Sequence, residues 1–161
     1  MQFMKVRFSF ILAVSAICMA FSSCKSPSTA AFYTFETECV GNAMDGTVVL
    51  RAWGQGASRA DAVEQAKKKA VRDIIFSGVQ KGQCKFKPLL FEVNAEERHQ
   101  AYFDNFFSKN GAYVDFVKMD ATKMGSGVKK KSQTRDSYAL VLRVLRADLE
   151  KKLISDNILK K

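Results

Sequence analysis

The sequence predicts an α+β domain, an antiparallel sheet of about four strands packed by helices on one face, in the order ββααββα. Three observations predict it. Segments 47–53 and 137–145 have the alternation or the apolar run, and the length, of strands. The segment that opens at Ser58 carries apolar residues at helical spacing behind a capping signal. The strands fall into two pairs with helices between and after them, which favours hairpins over parallel crossover units.

Phe32 to Val40 is rich in aromatic and β-favouring residues and reads as the first strand. Gly41 to Gly46 holds Asn42 and Asp45 between two glycines, the composition of a turn. Thr47 to Trp53 reads as the second strand. Val48, Leu50 and Ala52 share one face, and Thr47, Val49, Arg51 and Trp53 the other. Gly54-Gln55-Gly56 is expected to end that strand. Ser58 then caps a helix, with Asp61 at the reciprocal capping-box position. Ala62, Val63, Ala66, Ala70, Val71 and Ile74 form its apolar stripe, and the small alanines suit close packing on a sheet. Arg59, Lys67, Lys68 and Arg72 fall away from the stripe and are expected in solvent.

Ser77 to Lys87 reads as a connection, and Pro88 to Phe91 as a short extended piece. Asn94 and Glu97 form a second capping-box pattern, opening a helix over Ala95 to Ser108 whose stripe is Tyr102, Phe103, Phe106 and Phe107. Lys109-Asn110-Gly111 stops it. Tyr113 to Met119 is expected as the third strand and Asp120 to Thr134 as a long polar loop. Arg135 to Arg146 is apolar on both faces near its middle, which predicts a central strand. Ala147 to Leu159 closes the chain as a helix with Leu149, Leu153, Ile154 and Ile158 on one stripe.

The N-terminus reads as an export signal. Lys5 and Arg7 precede an apolar stretch from Phe8 to Phe21, followed by Ser22, Ser23 and Cys24. That stretch falls short of the about 20 residues a spanning helix needs. Phe21-Ser22-Ser23-Cys24 resembles the lipobox of bacterial lipoproteins, with Phe in place of the commoner Leu. The resemblance implies cleavage before Cys24, diacylglyceryl attachment to its sulfur and acylation of the new amino group. Several chains matter physically, because one acyl chain holds a protein only reversibly. Lys25 after the cysteine resembles the outer-membrane sorting signal, which implies the periplasmic side of the outer membrane. The expected organisation is a removed signal over 1–23, a lipidated tether over 24–31 and one domain over 32–161. The signal holds two of the 26 basic residues and none of the 16 acidic ones, leaving 24 against 16, a net charge of +8.

Export also frames the other cysteines. With Cys18 removed and Cys24 acylated, Cys39 and Cys84 remain in an oxidising space. They are expected either to form a disulfide or to sit as two separate buried thiols.

Catalytic chemistry finds little footing. His99 is the one histidine, on the second helix beside Glu96, Glu97 and Arg98, with no partner suggesting a nucleophile–base pair. There is no CxxC, HxxxH or HExxH, so no metal and no cofactor is expected. Gly54-Gln55-Gly56 sits between strand and helix, as a phosphate loop would, but Arg59 replaces the third glycine of the dinucleotide fingerprint. Gly125-Ser126-Gly127 with Lys129-Lys130-Lys131-Ser132 lacks the glycine directly before Lys-Ser that a P-loop requires. The lysines Lys123, Lys129, Lys130 and Lys131 are the sharper candidates, for contact with an anionic ligand from a hairpin tip. No aromatic lies among them to stack on bases, which argues against nucleic acid.

The run Val48-Val49-Leu50-Arg51-Ala52-Trp53-Gly54-Gln55-Gly56, with Ser58 and the Ala62, Ala66, Ala70 helix, resembles the N-terminal domain of the flagellar assembly protein FlgT and related small membrane-associated lipoproteins. The resemblance covers about thirty residues closely and the rest only in topology. It implies a non-enzymatic module that docks on another envelope protein, held to the membrane by its N-terminal lipid.

Overall fold

The computed structural model describes residues 35–120, 129–131 and 136–160. The expected signal, the tether with Cys24, the first residues of the expected first strand, and Lys123 lie outside the described residues.

The first hairpin joins β1 (Glu38–Asn42) to β2 (Thr47–Gly56), antiparallel, with Cys39 opposite Leu50 and Asn42 opposite Val48. Its turn is held by the Thr47 N–H, which donates to Asp45 Oδ1 at 2.8 Å, and by Gly46 at φ 78°. Those bonds from Thr47 keep the Asp45 carboxyl below its ordinary value. The first strand begins later than expected and runs to Asn42. The second does not stop at Trp53. It continues through both glycines because its partner runs alongside, pairing Gly56 with Asp136.

Helix α1 (Arg59–Arg72) opens on the predicted capping box. Asp61 N–H donates to Ser58 Oγ at 3.1 Å, and Ser58 N–H donates to Asp61 Oδ2 at 3.2 Å. Ala62, Ala66, Ala70 and Val71 are buried. The glycines of β2 make the close packing possible. A Cβ on Gly54 would overlap the Ala62 carbonyl, and one on Gly56 would come within 2.6 Å of Asp61 Cβ. A π-helical turn, Asp73–Ser77, extends α1 and ends at Gly78, φ 70°. Asp73 accepts from the Thr37 hydroxyl and pairs with Lys69 at 3.2 Å, tying this end of the helix to the chain entering β1.

The sheet is mixed, not purely antiparallel, and has more than four strands. The expected connection after α1 contributes β3 (Lys81–Gly82), which pairs parallel to β1. Gln83 N–H donates to the Cys39 carbonyl at 2.8 Å, and a disulfide joins Cys39 to Cys84 with Cα atoms 5.4 Å apart. Two paired residues give no periodicity from which to read a strand.

Tyr113 to Phe116 does not extend the third strand. Ala112–Phe116 is a 3-10 turn that drops Tyr113 into the core, and only β4 (Val117–Met119) pairs with the sheet. The expected polar loop is also shorter at its far end, since β5 (Lys129–Lys131) is a strand. Strand β6 (Asp136–Leu145) is central, as its doubly apolar middle predicted. It pairs with β2 over ten residues, while its other edge takes β4 at residues 142–144 and β5 at 136–138. The order is therefore β3-β1-β2-β6, with β4 and β5 sharing the last edge.

The second expected helix is broken. It forms α2 (Ala95–Arg98) and α3 (Gln100–Phe106), divided at His99. The capping box of Asn94 does not form. Asn94 lies at φ 58°, in the left-handed region, and the Ala95 N–H donates to the Glu92 carbonyl at 3.3 Å instead. The last helix, α4 (Arg146–Ser155), ends before Leu159 because Asn157 takes φ 58°. There the Ile158 and Leu159 N–H groups turn back onto the Leu153 carbonyl, a C-terminal cap that satisfies the last turn.

Val48, Leu50, Ala52, Leu140, Leu142 and Val144 of the sheet join Ala66, Ala70, Phe103, Phe106, Leu149 and Leu153 of the helices in one core. Val49, Arg51 and Arg143, on the opposite sheet face, stay outside it. Thr34–Lys161 is one compact unit.

Candidate functional site

Aromatic rings pack into a cluster on the helical side. Phe103 meets Phe76 edge-on at 4.8 Å and Tyr102 at 5.1 Å, and Phe106 meets Phe107 at 5.1 Å. Tilted and edge-on contacts of this kind favour the ring quadrupoles. The Arg72 guanidinium lies 5.3 Å from the Phe107 ring and 5.7 Å from Phe76, and Nη2 holds both Glu96 oxygens at 2.5 and 2.6 Å. That clasp fixes α2 against α1.

Next to the clasp lies a groove of about 530 Å³ between the segment before α2 and the faces of α2 and α3. Buried Leu90 and Phe103 and half-buried Phe76 form its apolar floor. Glu92, Glu96, Glu97 and Asp104 rim it. Two of these carboxylates are engaged, Glu96 by Arg72 and Glu92 by Arg98 at 2.6 Å. Glu97 and Asp104 make no ion pair among the described residues and face solvent. Beside the groove, Phe91 is 68% exposed and Val93 83% exposed. Both are apolar side chains left in water, and they alternate along the chain with the groove-lining residues Leu90, Glu92 and Asn94.

A second hollow, about 680 Å³, lies where β2 meets α1. Phe35 and Trp53 form one wall, with ring centroids 5.1 Å apart, and Gln55, Gln65 and Lys69 complete it. The Gly54-Gln55-Gly56 end of β2 lines this hollow, but the glycines face the helix they admit. The Asp61 carboxylate stands at the helix N-terminus, already bonded to Ser58. A carboxylate there competes with any phosphate for the same end of the helix dipole. This glycine pair therefore has a packing role.

The predicted site residues scatter. Lys129, Lys130 and Lys131 form an edge strand paired with residues 136–138, not a hairpin tip. Further along β6, Lys118 stands directly opposite Arg143, and both are exposed. Cys39 and Cys84 are joined at the other edge of the sheet, and His99 is half-buried at the break between α2 and α3. Among the described residues no three His, Cys, Asp or Glu side chains are placed to hold a metal ion, and no helix is long and apolar enough to cross a membrane. The groove was missed because its parts look ordinary in isolation. The available signal was compositional: residues 92 to 104 concentrate four carboxylates and one arginine in a chain of net charge +10.

No family model matches this chain, and neither the curated proteins nor the solved structures provide a match.

Proposed function

We propose that this chain is a lipid-anchored envelope protein, attached through Cys24 on the periplasmic side of the outer membrane, whose domain docks another envelope protein without catalysing a reaction. The exposed Phe91 and Val93 beside the apolar groove carry the docking part of this reading. Burying two such side chains against a partner contributes roughly 1.5–3 kcal/mol each, enough to make them anchors. The lipobox-like Phe21-Ser22-Ser23-Cys24 supports the anchor, and the resemblance to the FlgT N-terminal group supports an assembly role over an enzymatic one.

Two measurements test it. Metabolic labelling with a fatty acid should mark the wild-type chain and spare Cys24→Ala; labelling that survives the substitution removes the anchor. A photo-crosslinker at position 93 should give a discrete adduct in native membranes, and one at position 118 on the sheet should not. Equal or absent adducts from both positions count against docking at the groove.

A second reading is contact with an anionic ligand through Lys123, Lys129, Lys130 and Lys131. What favours it is Lys118 opposite Arg143 on the same edge of β6. Like charges directly across a strand pair are unfavourable, and the Asp45 carboxylate, held low first by its bonds from Thr47 and also by Arg143, offsets only the Arg143 side of the pair. Replacing the four lysines with Ser should then cause a steep, salt-dependent loss of binding to anionic vesicles, while the position-93 adduct stays unchanged if docking is the function.

A further inference from the structure

The geometry points to a partner of definite chemistry: the groove between Leu90 and Asp104 receives a polypeptide segment that is both cationic and apolar. This inference rests on the docking reading above. Half-buried Phe76 on the floor, with exposed Phe91 and Val93 alongside, leaves apolar surface for apolar side chains to cover. The rim favours positive charge, because among the described residues Glu97 and Asp104 make no ion pair while Glu92 and Glu96 are matched by Arg98 and Arg72. Glu97 on α2 and Asp104 on α3 are seven residues apart across the break at His99, about 10 Å if each residue advances by roughly the helical 1.5 Å. One small cation cannot satisfy both. Nor would it cover Phe91 and Val93, which carry the apolar surface beyond the groove. A segment of several residues does both.

A second copy of this chain is a poor occupant, since two mature bodies of net charge +8 (24 basic against 16 acidic residues) repel as they approach. An anionic or neutral segment would leave the two carboxylates desolvated without compensation. The partner is thus a protein that presents a short stretch interleaving Lys or Arg with aliphatic or aromatic residues.

The test uses the purified full-length chain in detergent and two fluorescent nine-residue peptides, one alternating lysine with leucine, the other alternating glutamate with leucine. Anisotropy should show the lysine peptide binding and the glutamate peptide not. The double substitution Glu97→Gln, Asp104→Asn should weaken binding roughly tenfold, as expected for two exposed charge contacts, with the difference shrinking in high salt. Phe91→Ser with Val93→Ser should weaken it as well. Equal binding of both peptides, no binding of either, or indifference to E97Q/D104N overturns the cationic partner. In those cases a discrete position-93 adduct would still uphold docking itself. Sedimentation showing a dimer that Phe91→Ser dissolves would also overturn the inference, because the occupant would then be a second copy.

Discussion

The Tyr102 hydroxyl donates to Asp156 Oδ2 at 2.7 Å, joining α3 to the end of α4 across 54 residues of chain. Lys152 donates to the other oxygen of the same carboxylate at 2.9 Å. The bond from Tyr102, then those from Lys152 and Ser155, hold the Asp156 carboxyl below its ordinary value against the opposing effect of burial. The helices bearing the groove are therefore fastened to the last helix by a bond that depends on an ionised carboxylate.

Tyr102→Phe should cost about 1.5–3 kcal/mol near neutral pH, the range for a hydrogen bond to a charged group. A carboxyl whose folded pKa is depressed stabilises the fold above its unfolded value. That contribution disappears as pH falls through the folded value. The gap between wild type and Tyr102→Phe in urea melts should thus narrow below about pH 4. A gap of constant size down to acid unfolding would show that the hydroxyl acts through packing alone.

Tyr113 is fully buried, and burial, followed by the Glu64 carboxylate, pushes its phenol up to about 12. Burial and Asp156 raise Tyr102 as well. A phenol raised in the folded state stabilises the fold below its unfolded value, about 10, and that stability is lost as pH climbs toward the folded value. An ultraviolet titration should show a late component near 12 that Tyr113→Phe removes. If Tyr113→Phe leaves the late component at full amplitude, Tyr113 titrates like an exposed phenol.

The Cys39–Cys84 bond spans a sequence separation of 45 and holds the short β3 segment against the sheet edge. Closing a loop of that size constrains the unfolded chain by about 4 kcal/mol in the chain-entropy model. Cys39→Ala with Cys84→Ala should lower the urea midpoint, and reductant should then have no further effect. Equal midpoints for the double variant and the oxidised wild type would refute the staple.

Gly54→Ala should be severe for its size, since the added Cβ meets the backbone carbonyl of Ala62, which cannot rotate aside. Overpacking of this kind costs about 1–3 kcal/mol or more. Gly41→Ala, whose Cβ would meet nothing within 4 Å, is the matched control. Similar melting temperatures for the two variants would mean that α1 has room to shift.

Much of the fold was legible. Ser58, Asp61 and the alanine stripe announced α1, because capping and helical spacing are local properties. The double apolar face of Ala139 to Val144 announced a central strand. What escaped were features without period. The pairing of Lys81–Gly82, the 3-10 turn at Tyr113 and the break at His99 are too short to leave a pattern. Asn94 misled for a related reason: the spacing of Asn94 and Glu97 permits a capping box, but only the backbone angle decides whether it forms.

By itself the sequence determined the α+β class, the main hairpin, the alanine-packed helix and the last strand and helix, since each follows from local propensity and burial period. Tertiary structure alone decided that Lys129 to Lys131 line a sheet edge, that β3 runs parallel to β1, and that a carboxylate rim meets an apolar floor beside Phe91. The physical reason is range. Periodicity reports which way a side chain faces, whereas a groove depends on which distant segments share one place, and that is fixed only when Phe76, Leu90 and Phe103 pack together.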